Sequence, residues 1–179
     1  MTNSNRQARL VLQAQAGDRE SLEQILSSIQ SRLLGYISGV VGRTAADDVL
    51  QDTFLNICRN LEWLRDPELL MPWAYRIASR VCFKSLKHQR RFPPADEEGK
   101  FVEEVPQAPQ PEPGLFCDVP ELLEQISPAS RAVLNLHYLQ DLPLQEVAAI
   151  LEIGVGTAKS RLAYGFSCLR QILNGKEKS

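Results

Sequence analysis

The sequence predicts an all-α protein of two small helical domains joined by a Pro-rich acidic linker, the second domain containing a helix-turn-helix. Three observations carry this. Valine and isoleucine recur at helical spacing rather than in the alternating runs of half-buried strands. Residues 93–118 hold Pro93, Pro94, Pro106, Pro109, Pro111 and Pro113 among acids, with few large apolar side chains, the composition of an extended tether. Near the C-terminus two helical patterns flank a short turn, and the second is long and amphipathic. The domains are therefore expected at residues 1–92 and 119–179, with 93–118 between them.

Taken in order, a first helix is expected from about Gln7 to Ala16, ended by Gly17. Asp18 then caps a second helix that turns Leu22, Ile25, Leu26, Ile29, Leu33 and Ile37 toward a core. Thr44 with Asp47 three residues on resembles a capping box opening a third helix, to about Asn60. In that helix Leu50, Phe54, Ile57 and Leu61 form the inward stripe. Asp66-Pro67 and Met71-Pro72 mark Leu61–Pro72 as an irregular loop. A helix from near Trp73 stops at Phe92-Pro93-Pro94. The second domain begins near Val119 with four helical patterns. Ser127-Pro128 supplies a cap and first-turn proline for a helix to Leu139. A break at Asp141 to Pro143, a short helix to Leu151, a turn and a helix from Val155 follow.

The formal charge of −2 conceals segregation. Residues 1–91 carry 13 bases and 9 acids, residues 92–125 carry Lys100 against nine acids, and residues 126–179 carry 6 bases and 4 acids. Two mildly basic blocks thus flank an acidic tether. From Leu69 to Ala95 there is no acid at all, yet Arg76, Arg80, Lys84, Lys87, Arg90 and Arg91 lie there. On a helix all six share an arc of about 120°. Trp73 and Phe83 share that arc, while Tyr75, Ala78, Cys82 and Leu86 face the other way. Surface helices usually mix signs to gain i,i+4 pairs. A one-signed stripe edged with aromatics and backed by an apolar face suits a polyanion.

In the last helix Val155, Ala158, Leu162, Phe166, Leu169 and Leu173 share one face and are expected to pack inward. Gly156, Thr157, Ser160, Ala163, Tyr164 and Ser167 occupy the opposite face, with Lys159 and Arg161 on its flanks. Small polar residues admit base edges, and flanking cations suit the phosphate walls of a major groove.

Three segments together resemble the extracytoplasmic-function sigma factors of bacterial RNA polymerase. They are Ala46-Asp47-Asp48-Val49-Leu50-Gln51-Asp52-Thr53-Phe54-Leu55, Trp73-Ala74-Tyr75-Arg76-Ile77-Ala78 and Gly156-Thr157-Ala158-Lys159-Ser160-Arg161-Leu162. Their order, their spacing and the intervening linker match, over almost the whole chain. The resemblance implies a transcription-initiation subunit whose first domain binds core RNA polymerase and melts the minus-ten element. Its second domain would grip the minus-thirty-five element of promoter DNA. Asp48, Gln51, Asp52 and Leu55 would then meet core polymerase. Leu55 and Val49 are expected as exposed apolar residues within an acidic face, or else as contacts to the first helix. Trp63, Trp73, Arg76, Arg80, Lys84 and Lys87 would take the minus-ten strand. Gly156, Thr157, Lys159, Ser160, Arg161 and Tyr164 would take the minus-thirty-five duplex.

The sequence departs from the family pattern twice. Leu64 stands where an aromatic is common, and its neighbour Trp63 either supplies the missing ring or plugs the core. After Leu162, Ala163-Tyr164-Gly165-Phe166 replaces an aromatic or histidine and several arginines, so groove reading would fall to phosphates, thymine-methyl contacts from Ala163 or Tyr164, and DNA shape. Arg76 has an alternative as well, a carboxylate inside its own domain. The acidic linker reads either as a tether occupying a channel built for RNA or as a plain spacer.

Other classes fit less well. No glycine-rich phosphate loop, nucleophile elbow or metal-ligand cluster is present, so no enzyme, cofactor or metal is expected. His88 lies beside the basic stripe, and His137 in a packing helix. Cys58, Cys82, Cys117 and Cys168 are scattered as in a reducing compartment, and Cys58 and Cys82 fall on apolar helical faces. The polar start and short apolar runs imply a cytoplasmic chain with no membrane insertion. An anti-sigma factor is a candidate partner, and a mimic that binds one without initiating transcription is the rival reading.

Overall fold

A computed structural model describes residues 3–89 and 126–176, with side chains over 6–88 and 126–171. The predicted linker, Arg90, Arg91, the first pattern of the second domain and the side chain of Leu173 lie outside the described residues. Within them the chain is helical, with no strand.

Helix α1 (Asn3–Gln15) ends at Gly17, whose φ of 94° only glycine adopts freely. Asp18 accepts from the Ser21 N–H at 3.3 Å and also from the Ser21 hydroxyl, opening α2 (Arg19–Val41). This long helix is the hub. Ile25, Ile29, Leu33, Tyr36, Ile37 and Val40 are buried along one side of it, and α1, α3 and α4 pack around it. Each large aliphatic side chain so buried stabilises by roughly 1.5–3 kcal/mol. The Tyr36 hydroxyl lies 2.7 Å from Ser79 Oγ, which itself donates to the Tyr75 carbonyl at 2.7 Å.

The expected capping box does not form. Gly42, at φ 85°, closes α2 and immediately precedes α3 (Arg43–Asn60), without a side-chain cap, so Thr44 is already inside the helix. One glycine at the corner leaves no room for a separate capping residue. Leu61–Pro72 is also more ordered than a loop. It consists of two 3₁₀ turns, Leu61–Trp63 and Pro67–Leu69, and the first residues of α4 (Leu70–Gln89). Pro72 fits there because the N–H groups of a first helical turn have no intrahelical acceptor. Ala74, Tyr75, Ala78 and Cys82 of α4 face inward as expected. Cys58, by contrast, is exposed.

In the C-terminal part Ser127 caps α5 (Pro128–Leu134), accepting from Ser130 N at 3.3 Å. The helix widens into a π turn over Asn135–Leu139. Asp141, at φ 56°, breaks the chain before α6 (Leu144–Ile150). Leu151 and Glu152 make the turn, and α7 (Val155–Lys176) follows. The inward face of α7 is rotated from the expected one. Ala158, Gly165 and Cys168 are buried, Leu162 and Leu169 half-buried, and Val155 and Phe166 exposed. Gly165 lets α7 come close to Leu134 of α5, and that approach swings Phe166 outward, where it stacks edge-on against Tyr138 at 5.2 Å.

The two parts share one core. Ala132, Val133, Leu136, Val147 and Ile150 are buried in the same cluster as the α1–α4 residues, and α5 and α6 rest on α2 and α4.

Candidate nucleic-acid and polymerase interfaces

Helix α3 divides cleanly by face. Ala46, Val49, Leu50, Thr53 and Ile57 are buried; Asp48, Gln51, Asp52 and Leu55 are exposed together. Val49 therefore corrects the expectation of an exposed residue, since at 3% exposure it belongs to the core. Leu55 is 47% exposed, beside the exposed Asp48 and Asp52.

In the turn after α3, Trp63 is not the core plug. Leu64 is buried and plugs the core, while Trp63 is 71% exposed. Gln15 holds this turn in place, its side-chain amide donating to the Leu61 and Leu64 carbonyls at 2.9 and 2.8 Å. Sequence reasoning missed Gln15, because a glutamine 46 residues away carries no local cue to that role.

On α4, Lys84 and Lys87 project into solvent, Arg80 is exposed, Arg76 is half-buried, and Trp73 packs partly against the core. Four of the six expected cations thus lie on α4, and Arg90 and Arg91 lie outside the described residues. A shallow groove between α3 and α4, lined by Asp52, Val81, Lys84, Ser85 and His88, joins these cations to the acidic face. Among the described residues neither Arg76 nor Arg80 pairs with a carboxylate of the N-terminal helices. Arg76 Nη2 donates to the Ala149 carbonyl at 3.1 Å, and Arg80 grips Glu152 through Nη2 at 2.7 and 2.9 Å and Nε at 3.3 Å. Glu152, Ala149 and their neighbours in the C-terminal part were not among the residues singled out from sequence.

Along α7, Gly156, Lys159, Ser160, Ala163 and Ser167 are exposed, whereas Thr157, Arg161 and Tyr164 are half-buried. Tyr164 lies against the small cluster of Ile126, Leu134 and Cys168, and its hydroxyl is raised in pKa first by its bond to Cys168. His137 serves structure, with Nδ1 2.8 Å from the Leu142 carbonyl. Among the described residues no group of histidine, cysteine and carboxylate is placed to hold a metal, and no helix is long and apolar enough to cross a membrane.

A helix-turn-helix with an open groove face, set beside a second helical unit bearing a one-signed cation stripe, defines a two-part DNA-binding protein. Residues 25–92 match the Sigma-70 region 2 family model and residues 122–171 match Sigma-70, region 4. The chain belongs to the extracytoplasmic-function group of sigma-70 factors. It is 26% identical over 165 residues to the ECF RNA polymerase sigma-E factor of Haemophilus influenzae, covering 86% of this chain and 87% of that one. To the RNA polymerase sigma factor CarQ of Myxococcus xanthus it is 26% identical, covering 90% of this chain and 94% of CarQ. The fold is similar to that of CnrH, solved in complex with the cytosolic domain of CnrY (TM-score 0.66, 21% identity, 94% of this chain and 97% of that one). It is also similar to that of the sigma factor RpoE from Bartonella quintana, solved with the anti-sigma factor NepR (TM-score 0.64, 20% identity, 85% and 96%).

Proposed function

We propose that this protein is a promoter-specificity subunit that recruits core RNA polymerase, opens the minus-ten element and contacts the minus-thirty-five element. The single observation that carries this is the match of both sigma-70 regions, in order, within one chain. Residues 1–92 form the polymerase- and minus-ten-binding domain, 93–118 the connector and 119–179 the minus-thirty-five domain. Asp48, Gln51, Asp52 and Leu55 dock core polymerase; their joint exposure on α3 supports that role.

Trp63 supplies the aromatic surface for an unstacked base, since base stacking on an exposed ring contributes roughly 1–3 kcal/mol. Trp73 flanks it, and Arg76, Arg80, Lys84 and Lys87 hold strand phosphates. On α7, Gly156 and Ser160 allow close approach to base edges. Lys159 and Arg161 bind the groove walls, and Thr157 and Tyr164 complete the surface. The protein works in the cytoplasm without catalysing a reaction of its own, and an anti-sigma factor is its candidate regulator.

The test mixes the purified chain with sigma-free core polymerase and a pool of promoter-length duplexes, then sequences the transcripts. Starts downstream of a shared two-part motif are expected. Absence of core binding, with a control sigma factor active, would overturn the reading.

A further inference from the structure

We propose that α1 extends the strand-binding surface: Arg6 and Arg9 hold phosphates of the opened strand, while Leu12 and Leu69 cover bases beside the one on Trp63. This rests on the reading of Trp63 as the seat of an unstacked base.

Residues 1–17 contain no Asp or Glu, and Arg6 and Arg9 are their cations. On α1, Arg6, Arg9 and Leu12 follow one another at about 4.5 Å along the axis and share an arc of about 120°. All three are exposed, whereas Val11 is buried and Leu10 and Ala14 pack against the core. Among the described residues neither arginine forms a hydrogen bond or an ion pair, unlike Arg19, which pairs with Glu23 at 3.1 Å. Free cations on an acid-free helix attract a polyanion.

Helix α1 is also fixed to the Trp63 turn. It packs on both 3₁₀ turns. Gln15, three residues after Leu12, donates to the Leu61 and Leu64 carbonyls on either side of Trp63. One exposed leucine is ordinary on a protein surface. Here Leu12, at 57%, and Leu69, at 51%, stand on elements packed together beside a tryptophan 71% exposed. Such a group suits bases stripped of their partners, which present apolar faces.

The charges set the path of the strand. Glu62 and Glu68 are exposed on the turn, and Asp66 accepts from the Glu68 N–H at 3.0 Å; Arg65 is exposed among them. Phosphates are repelled by these three carboxylates and drawn to α1. The bases therefore face the turn while the backbone runs along the helix.

The test uses the full chain and reads anisotropy of a fluorescein-labelled random single-stranded 20-mer across a salt series. Arg9→Gln should lower the slope of log affinity against log salt by about 0.7, and Arg6→Gln with Arg9→Gln by about 1.4. Arg19→Gln removes a cation already paired, so as the charge control it should leave the slope unchanged. Leu12→Ala should weaken strand binding about fivefold at an unchanged slope. Its urea midpoint should stay in place, because the side chain is exposed. Slopes equal to that of Arg19→Gln, or no strand binding by the unaltered chain at low salt, would overturn the proposal. Lost core-polymerase affinity in these variants, with strand binding intact, would make the surface a protein contact and overturn it too. Binding of the unaltered chain to core polymerase is scored separately: its absence sinks the sigma-factor reading, whereas the strand measurement still decides the role of α1.

Discussion

The Cα of Gly165 sits so close to Leu134 that a Cβ there would stand 2.6 Å from Leu134 Cδ1 and 3.2 Å from Cγ. This approach sets how α7 lies on α5, and with it the direction of the groove face. Gly165→Ala should gain about 1 kcal/mol of helix propensity but lose roughly 1–3 kcal/mol to overpacking. A net loss is expected in urea denaturation. Combining it with Leu134→Ala should cost less than the two single changes added, because the second creates the space the first requires.

Leu55 and Val49 lie on one helix and should behave oppositely. Leu55→Ala removes an exposed side chain, so stability should stay within about 0.5 kcal/mol, while affinity for core polymerase falls roughly fivefold or more. Val49→Ala empties part of the core. It should cost roughly 2 kcal/mol and leave polymerase affinity of the folded protein unchanged. Paired denaturation and core-binding titrations separate the two.

Much of this was legible from residue spacing, for a physical reason. The 3.6-residue period places Leu50 and Ile57 inward and Asp48 and Asp52 outward whatever surrounds them, and Gly17 and Asp18 mark a boundary by local geometry alone. Spacing failed where a long-range contact chose between nearly equivalent faces. Val49 borders both faces of α3, and neighbouring helices drew it inward. Phe166 belongs to the apolar stripe of α7 by count, yet the close approach at Gly165 rotates it out. Least legible was the grip of Arg80 on Glu152, 72 residues apart, for which no local pattern exists.

Alkaline unfolding should begin with buried acids that resist ionisation. Burial pushes the Cys82 thiol from the usual 9.0 up to about 12, and burial likewise raises Tyr36 above its ordinary range. Both folded-state values lie above the unfolded ones, so their contribution is complete below pH 9. Above that the unfolded chain binds fewer protons, and stability falls with pH by up to about 1.4 kcal/mol per unit for each group, until the folded thiol itself titrates near 12. Urea midpoints at pH 8 and 10.5 should show the decline, and Cys82→Ala should make it shallower.

Gln15 spans α1 and the Trp63 turn through two carbonyls. Gln15→Ala should leave both oxygens without that donor and cost roughly 1–2 kcal/mol locally. Because Trp63 rides on this turn, promoter opening should slow while closed-complex formation persists. Permanganate reactivity of thymines in the minus-ten region, compared with total holoenzyme–promoter binding, measures the split. Equal losses in both would reject the positioning role.

Lys159 and Tyr164 should separate affinity from preference on α7. Lys159 is exposed on the flank of the groove face, where a phosphate contact carries no sequence information. Lys159→Ala should therefore weaken upstream-element binding uniformly across sequences and lower the salt slope by about one. Tyr164 is half-buried against Ile126, Leu134 and Cys168, with its hydroxyl tied to Cys168. Such a ring can present an apolar edge to a thymine methyl without its hydroxyl taking part. Tyr164→Phe should thus keep the preference, and Tyr164→Ala should change it at one or two positions. Selection from a randomised upstream element reads both, and an unchanged profile for Tyr164→Ala would leave discrimination to Ala163 and DNA shape.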